Sequence, residues 1–123
     1  MAQRVKRGDI WTVAGGADYT GKPRPALILQ NDLYDVTQSV TICPFTSNAA
    51  AAPLFRVEVA PAEGNGLREV SHLMVDKLTT VPRSRLGFRI GQLADDDMQR
   101  VGSAVVLFLG LAGTSTGSQQ SAQ

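Results

Sequence analysis

Along much of this chain hydrophobic and polar positions alternate with the two-residue period of β-strands. Asp9-Ile10-Trp11-Thr12-Val13 is short and rich in β-formers, while Ala26 to Asn31 begins as an unbroken apolar run, the mark of a strand covered on both faces. Ser39 to Phe45 alternates again. In Leu54 to Val59, Phe55, Val57 and Val59 share one face and Arg56 and Glu58 the other. The Asn-Gly pair inside Glu63-Gly64-Asn65-Gly66 tolerates positive φ and predicts a turn. Leu73 to Val81 then reads as one long strand, Arg83 to Leu86 as a helical turn, and Phe88 to Leu93 as a shorter strand.

The period changes once. Met98, Val101, Val105 and Phe108 recur at helical spacing, and Gly110 supplies a natural stop. Asp95, Asp96 and Asp97 stand where an N-cap and first turn favour negative charge. A metal site is the competing reading of that triplet. Three consecutive residues at a helix start cannot all face one ion, and no His or Cys cluster accompanies them. Residues 1–113 are expected to form the single domain, with 114–123, built of Ser, Thr, Gly, Ala and Gln, a disordered tail.

Composition narrows the class without choosing a function. With 123 residues, 43% hydrophobic and 19% charged, the chain suits one globular domain with one core. A net charge of +1 means that any polyanion site must come from local clustering. No apolar run approaches the roughly 20 residues of a membrane span, and the N-terminus lacks a signal-like apolar stretch, so a cytoplasmic location is expected. The single cysteine, Cys43, sits in an apolar alternation and reads as a small core residue.

The chemistry concentrates around Gly21-Lys22-Pro23-Arg24-Pro25. Pro23 fixes its own φ and Pro25 keeps Arg24 out of the helical region, so a five-donor guanidinium leaves a stiffened backbone at the mouth of a strand. If the first three strands are sequential antiparallel neighbours, the start of the second and the end of the third share one edge, which brings Arg24 near Thr46. The loops Ala14 to Lys22 and Ser47 to Pro53 would rim that edge. An arginine fork beside a hydroxyl suits a tetrahedral oxyanion, above all a phosphodiester approaching a pentacovalent transition state. Thr46 as a turn-capping threonine is the plainer reading.

Several segments, in order, resemble the MazF/PemK family of toxin endoribonucleases. They are Arg7-Gly8-Asp9-Ile10-Trp11, Arg24-Pro25 with its apolar strand ending Gln30-Asn31-Asp32, Pro44-Phe45-Thr46-Ser47, Gly66-Leu67 before Ser71, and Arg85-Leu86 leading to Ile90-Gly91-Gln92-Leu93. The resemblance runs from Arg7 to Leu111. It implies a mainly β fold, a small SH3-like barrel of the CcdB type with a C-terminal α-helix, assembled as a homodimer. It also implies metal-independent cleavage of single-stranded RNA without a cofactor, growth arrest, and neutralisation by a cognate antitoxin. The family's catalytic arginine and threonine fall on Arg24 and Thr46.

The implied reaction is transesterification. The ribose 2′-OH attacks the adjacent phosphorus, leaving a 2′,3′-cyclic phosphate and a 5′-OH, with Arg24 on the non-bridging oxygens and Thr46 donating a further hydrogen bond. Arg24 makes a poor general base because a guanidinium is almost never neutral at pH 7. Where many family members carry Glu-Gln, this chain has Tyr19-Thr20, so the carboxylate that could assist proton transfer is missing; Asp18 is its nearest substitute. Where the family commonly has Asp-Gln, Asp76-Lys77 stands here, and Lys77 is a candidate phosphate contact. Asp18, Tyr19, Lys22, Ser47 and Lys77 are the expected substrate-binding residues, with Tyr19 and Trp11 possible stacking surfaces. Lys22, Lys77, Arg83, Arg85 and Arg89 could track phosphates if they share a face. His72, the sole histidine, has no nucleophile or metal partner readable near it in sequence. Two other functions stay open. One is a gyrase poison like CcdB, against which the helix end Leu109-Gly110-Leu111-Ala112-Gly113 lacks the Trp-Gly-Ile of those relatives. The other is a silent dimeric module that binds RNA or antitoxin without cutting.

Overall fold

The computed structural model describes residues 4–15, 22–48 and 55–111. Its strands are β1 (Asp9–Val13), β2 (Arg24–Ile28), β3 (Ser39–Thr46), β4 (Arg56–Val59), β5 (Ser71–Met74), β6 (Thr79–Pro82) and β7 (Leu86–Gln92), followed by one helix, α1 (Asp95–Leu109). The pairing runs β4-β5-β3-β2-β1-β7, with β6 also on β3. The ladder does not return from β7 to β4, so among the described residues this is an open, mainly antiparallel sheet with a C-terminal helix.

Strands β1, β2 and β3 are consecutive antiparallel neighbours, the common arrangement for strands that follow one another in the chain. The apolar run at β2 is buried on both faces because two cores flank the sheet. Leu27 joins Ile10, Cys43, Phe45, Leu73 and Val101 beneath α1. Ala26 and Ile28 join Trp11, Val40, Ile42 and Val81 on the opposite face. Strand β2 ends at Ile28, so Leu29 to Asn31 fall outside it. Trp11 is 3% exposed and is a core residue, not a stacking platform.

The long strand expected over Leu73 to Val81 is interrupted. A 3-10 turn, Val75–Lys77, separates β5 from β6. Both strands lie along the same edge of β3, and the register shifts by three residues between them, the length of the turn. The interruption is tertiary in origin. Val75 is fully buried in the core under α1, and Asp76 accepts from Arg56 of β4 at 3.0 and 3.4 Å. Helix α1 begins one residue earlier in register than its acids suggested: Ala94 is the N-cap and has no side-chain cap bond, so the three aspartates form the first turn itself. Gly110 closes the helix in the left-handed conformation at φ 72°.

Between β4 and β5 the Asn-Gly turn is anchored from inside. The Asn65 side chain donates to Ala60 O at 3.0 Å and accepts from Leu67 N at 3.0 Å and Ala62 N at 3.2 Å. Its backbone presses on β7, where a Cβ on Gly91 would lie 2.3 Å from the Asn65 carbonyl carbon. A Cβ on Gly66 would likewise meet Ile90 O at 2.1 Å. The β4–β5 hairpin is thereby fixed to the opposite end of the strand ladder.

Candidate active site

Arg24 opens β2 across from Val13 of β1. On its other side the β2–β3 register pairs Ala26 with Pro44, and two more residues in that register set Arg24 across from Thr46. Thr46 is itself paired with His72 of β5, and His72 with Glu58 of β4. One row across four strands therefore reads Arg24, Thr46, His72, Glu58. Residues directly opposite in an antiparallel sheet point to the same face. Alternation sets Arg24 with Ala26 and Ile28, and Thr46 with Ile42 and Val40, on the face away from α1.

A cleft of about 180 Å³ opens on that face. Arg24 and Arg85 supply its cationic lining, over an apolar floor that includes Val13, Ile42, Pro44 and Val81. Two guanidiniums over a low-dielectric floor have the chemistry to suit an anion. The Thr46 hydroxyl accepts from Asn48 N–H at 3.1 Å. It is thus a turn-capping threonine, and the same bond leaves its own hydrogen free to be donated. A larger hollow of about 580 Å³ runs along α1 beside Phe55 and Phe108 and shares no lining residue with the cleft.

The remaining expected contacts separate. Lys22 and Ser47 are exposed at the two strand ends that carry Arg24 and Thr46. Asp18 and Tyr19 lie outside the described residues. Lys77 is exposed at the end of the 3-10 turn rather than within a strand, and its neighbour Asp76 is taken up by Arg56. That hydrogen bond holds the Asp76 carboxyl below its ordinary value. Among the other basic candidates, Arg89 pairs with the buried Asp9 at 3.1 Å and Arg83 donates to Thr37 O, so both serve the fold. Cys43 is fully buried and its thiol is pushed up to about 12 by desolvation, with the Asp76 charge adding to the shift. Among the described residues no group of three His, Cys, Asp or Glu side chains could hold a metal ion, and no helix is long and apolar enough to cross a membrane.

Two members of the row, His72 and Glu58, have no role that the sequence alone supports. His72 Nε2 lies 3.6 Å from Glu58 Oε1, and its Nδ1 is buried without a hydrogen-bond partner. No local signal marks this histidine, because its neighbours are brought to it only by strand register.

Comparison with known proteins gives concordant results. Residues 6–109 match the family described as PemK-like, MazF-like toxin of type II toxin-antitoxin system. The chain is 53% identical over 109 residues to the probable endoribonuclease MazF of Mycolicibacterium smegmatis, an alignment covering 89% of this chain and all of that one. It is 27% identical to endoribonuclease EndoA of Bacillus subtilis, over 87% of this chain and 96% of the relative. Among solved structures, the Mycobacterium tuberculosis toxin MazF-mt6 superposes with a TM-score of 0.71 at 26% identity, covering 85% of this chain and 98% of that one. A MazE-MazF structure from Deinococcus radiodurans superposes with a TM-score of 0.69 at 28% identity, covering 89% and 99%.

Proposed function

This chain belongs to the PemK-like, MazF-like family of type II toxin-antitoxin toxins, and from that premise we propose that the row beginning at Arg24 and Thr46 is the RNA-cleaving centre of a cytoplasmic endoribonuclease. The protein is an endoribonuclease toxin with a cognate antitoxin as its partner. The observation that carries the assignment of the centre is the register that sets Arg24 across from Thr46 beside a cleft with a second arginine, Arg85.

The reaction follows from what these groups can hold. A guanidinium fork binds two non-bridging oxygens of a phosphodiester and opposes the charge that grows as the 2′-oxygen attacks. The Thr46 hydroxyl stands at the same reacting centre. The nucleophile belongs to the substrate, so the products are a 2′,3′-cyclic phosphate and a 5′-OH, and DNA is not cut. Lys22 and Ser47 extend the site along the RNA backbone, Lys77 adds a charge at the rim, and Asp18 and Tyr19 contribute from the loop before β2. The active form is a homodimer, and no cofactor is required.

The test is incubation of the purified chain with a long single-stranded RNA in excess chelator, beside Arg24→Ala, with mapping of the ends. Cutting by the parent at a recurring short motif, with cyclic phosphate termini and a loss of at least about 10²-fold in Arg24→Ala, is the expected result. Equal cutting by both would reject Arg24. Intact RNA in both would favour a protein that binds without cutting.

A further inference from the structure

Tyr19-Thr20 stand where the family resemblance expects Glu-Gln, Asp18 lies outside the described residues, and Arg24 cannot take a proton at neutral pH. Among the described residues the 2′-OH proton needs an acceptor other than Arg24. We infer that His72, oriented by Glu58, receives it through Thr46, so that the row forms a Glu-His-Thr proton relay. This rests on the reading of Arg24 and Thr46 as the RNA-cleaving centre.

Three observations support the relay. Thr46 and His72 are directly opposed in the β3–β5 register, which sets Cβ atoms about 4.5–5.5 Å apart. His72 Nε2 faces Glu58 at 3.6 Å, so the proton of a neutral ring is drawn to Nε2 and the lone pair is left on Nδ1. That Nδ1 is closed off from solvent and has no partner among the described residues, a condition that favours the arrival of a donor. The Thr46 hydroxyl is the neighbouring donor across the strand. One of its lone pairs is occupied by Asn48 N–H, which leaves the other for the 2′-OH and the hydrogen for His72. Such bonds often tighten only when substrate is bound.

The step balances as follows. The 2′-O–H bond breaks as its proton passes to Thr46 Oγ1, while the threonine's own proton passes to His72 Nδ1. The 2′-oxygen forms its bond to phosphorus, and the bond from phosphorus to the 5′-oxygen breaks, the leaving oxygen taking a proton from water. The imidazolium, stabilised by the Glu58 carboxylate, then returns its proton to solvent. The charged groups on the elements around His72 are Glu58 and Arg56 on β4, Arg24 beyond Thr46, Asp76 and Lys77 in the 3-10 turn, and Arg100 of α1. Arg56 is paired with Asp76, and Arg100 bonds Asp97 and the Glu58 carbonyl. Glu58 is the carboxylate left to answer the ring.

The experiment measures single-turnover cleavage of a defined RNA from pH 5 to 9 by the parent, His72→Asn, Glu58→Gln and Arg24→Ala. Because the chain has one histidine, the tautomer of its ring is also read directly by nitrogen NMR on the untagged protein. The relay predicts a parental rate that rises with pH. It also predicts a loss of about 10²-fold with a flattened profile in His72→Asn, a smaller loss in Glu58→Gln, and an Nε2–H ring above pH 8. A parental profile in His72→Asn with a rate within twofold, or a ring protonated on Nδ1, overturns the relay while leaving the Arg24 centre intact. If His72→Asn does not fold, the exposed Glu58→Gln and the tautomer decide. A parent that cuts no RNA overturns the relay and the reading beneath it together.

Discussion

Asn65→Ala is the substitution whose cost can be worked most directly from the structure. The residue is 5% exposed, and its side chain makes three hydrogen bonds, one donated to Ala60 O and two accepted from Ala62 N and Leu67 N. A net bond between neutral groups contributes about 1 kcal/mol, and orphaned partners cost more where water cannot reach them. Ala60 and Ala62 are exposed and Leu67 is half-buried, so water recovers part of the loss. The expected destabilisation is about 2–3 kcal/mol, or a fall in Tm on the order of 10–15 °C for a domain of this size. Asn65→Asp should fall between the two, keeping both accepted bonds but turning an oxygen toward the Ala60 carbonyl. Urea unfolding followed by the fluorescence of Trp11, the single buried tryptophan, gives both values. An Asn65→Ala protein within about 0.5 kcal/mol of the parent would show that the anchor does not hold the hairpin, and the reasoning would fail.

Three further outcomes follow from features already described. Gly91→Ala places a Cβ 2.3 Å from backbone that is itself anchored, so it should cost more than about 3 kcal/mol or leave the protein insoluble, as urea titration and soluble yield would show. With its thiol at about 12, Cys43 should react with a thiol reagent at pH 8 roughly 10³-fold slower than a free cysteine. The native state also holds that proton more tightly than the unfolded chain. Its contribution is full below the ordinary value near 9 and is lost as pH rises toward 12, so Cys43→Ala should show a shallower alkaline loss. Asp76 has the opposite sign: lowered in the fold by Arg56, its contribution is present above the unfolded carboxylate value and lost as pH falls through the folded one. Asp76→Asn should thus be about 1–2 kcal/mol less stable at pH 7, with the gap closing below about pH 4.

Legibility in the sequence tracked how local each cause is. The strand at Ile10-Trp11, the buried run at Leu27, the turn at Asn65-Gly66 and the stop at Gly110 all rest on neighbouring residues, and each stands where the pattern set it. The break at Val75–Lys77 had no such signal: no glycine or proline marks it, and its causes are Arg56 and the core beneath α1, both distant in sequence. The juxtaposition of Arg24 and Thr46 was readable because strands that follow one another in the chain commonly pair. His72 was not, since its place beside Thr46 depends on which edge of β3 the later strand joins. Arg89 shows the converse, a candidate phosphate contact spent on the buried Asp9.

The row Arg24, Thr46, His72, Glu58 is drawn from four strands, and no two of its members are sequence neighbours. Assembling it requires β5 to find β3 over a span that local contacts do not shorten, and such non-local pairing forms late and slowly. The hairpin bearing His72 and Glu58 is in turn pinned to β7, near the end of the fold. A chain still emerging from the ribosome accordingly lacks the complete row. On the reading proposed above, the four residues come together only after nearly the whole described domain has been made.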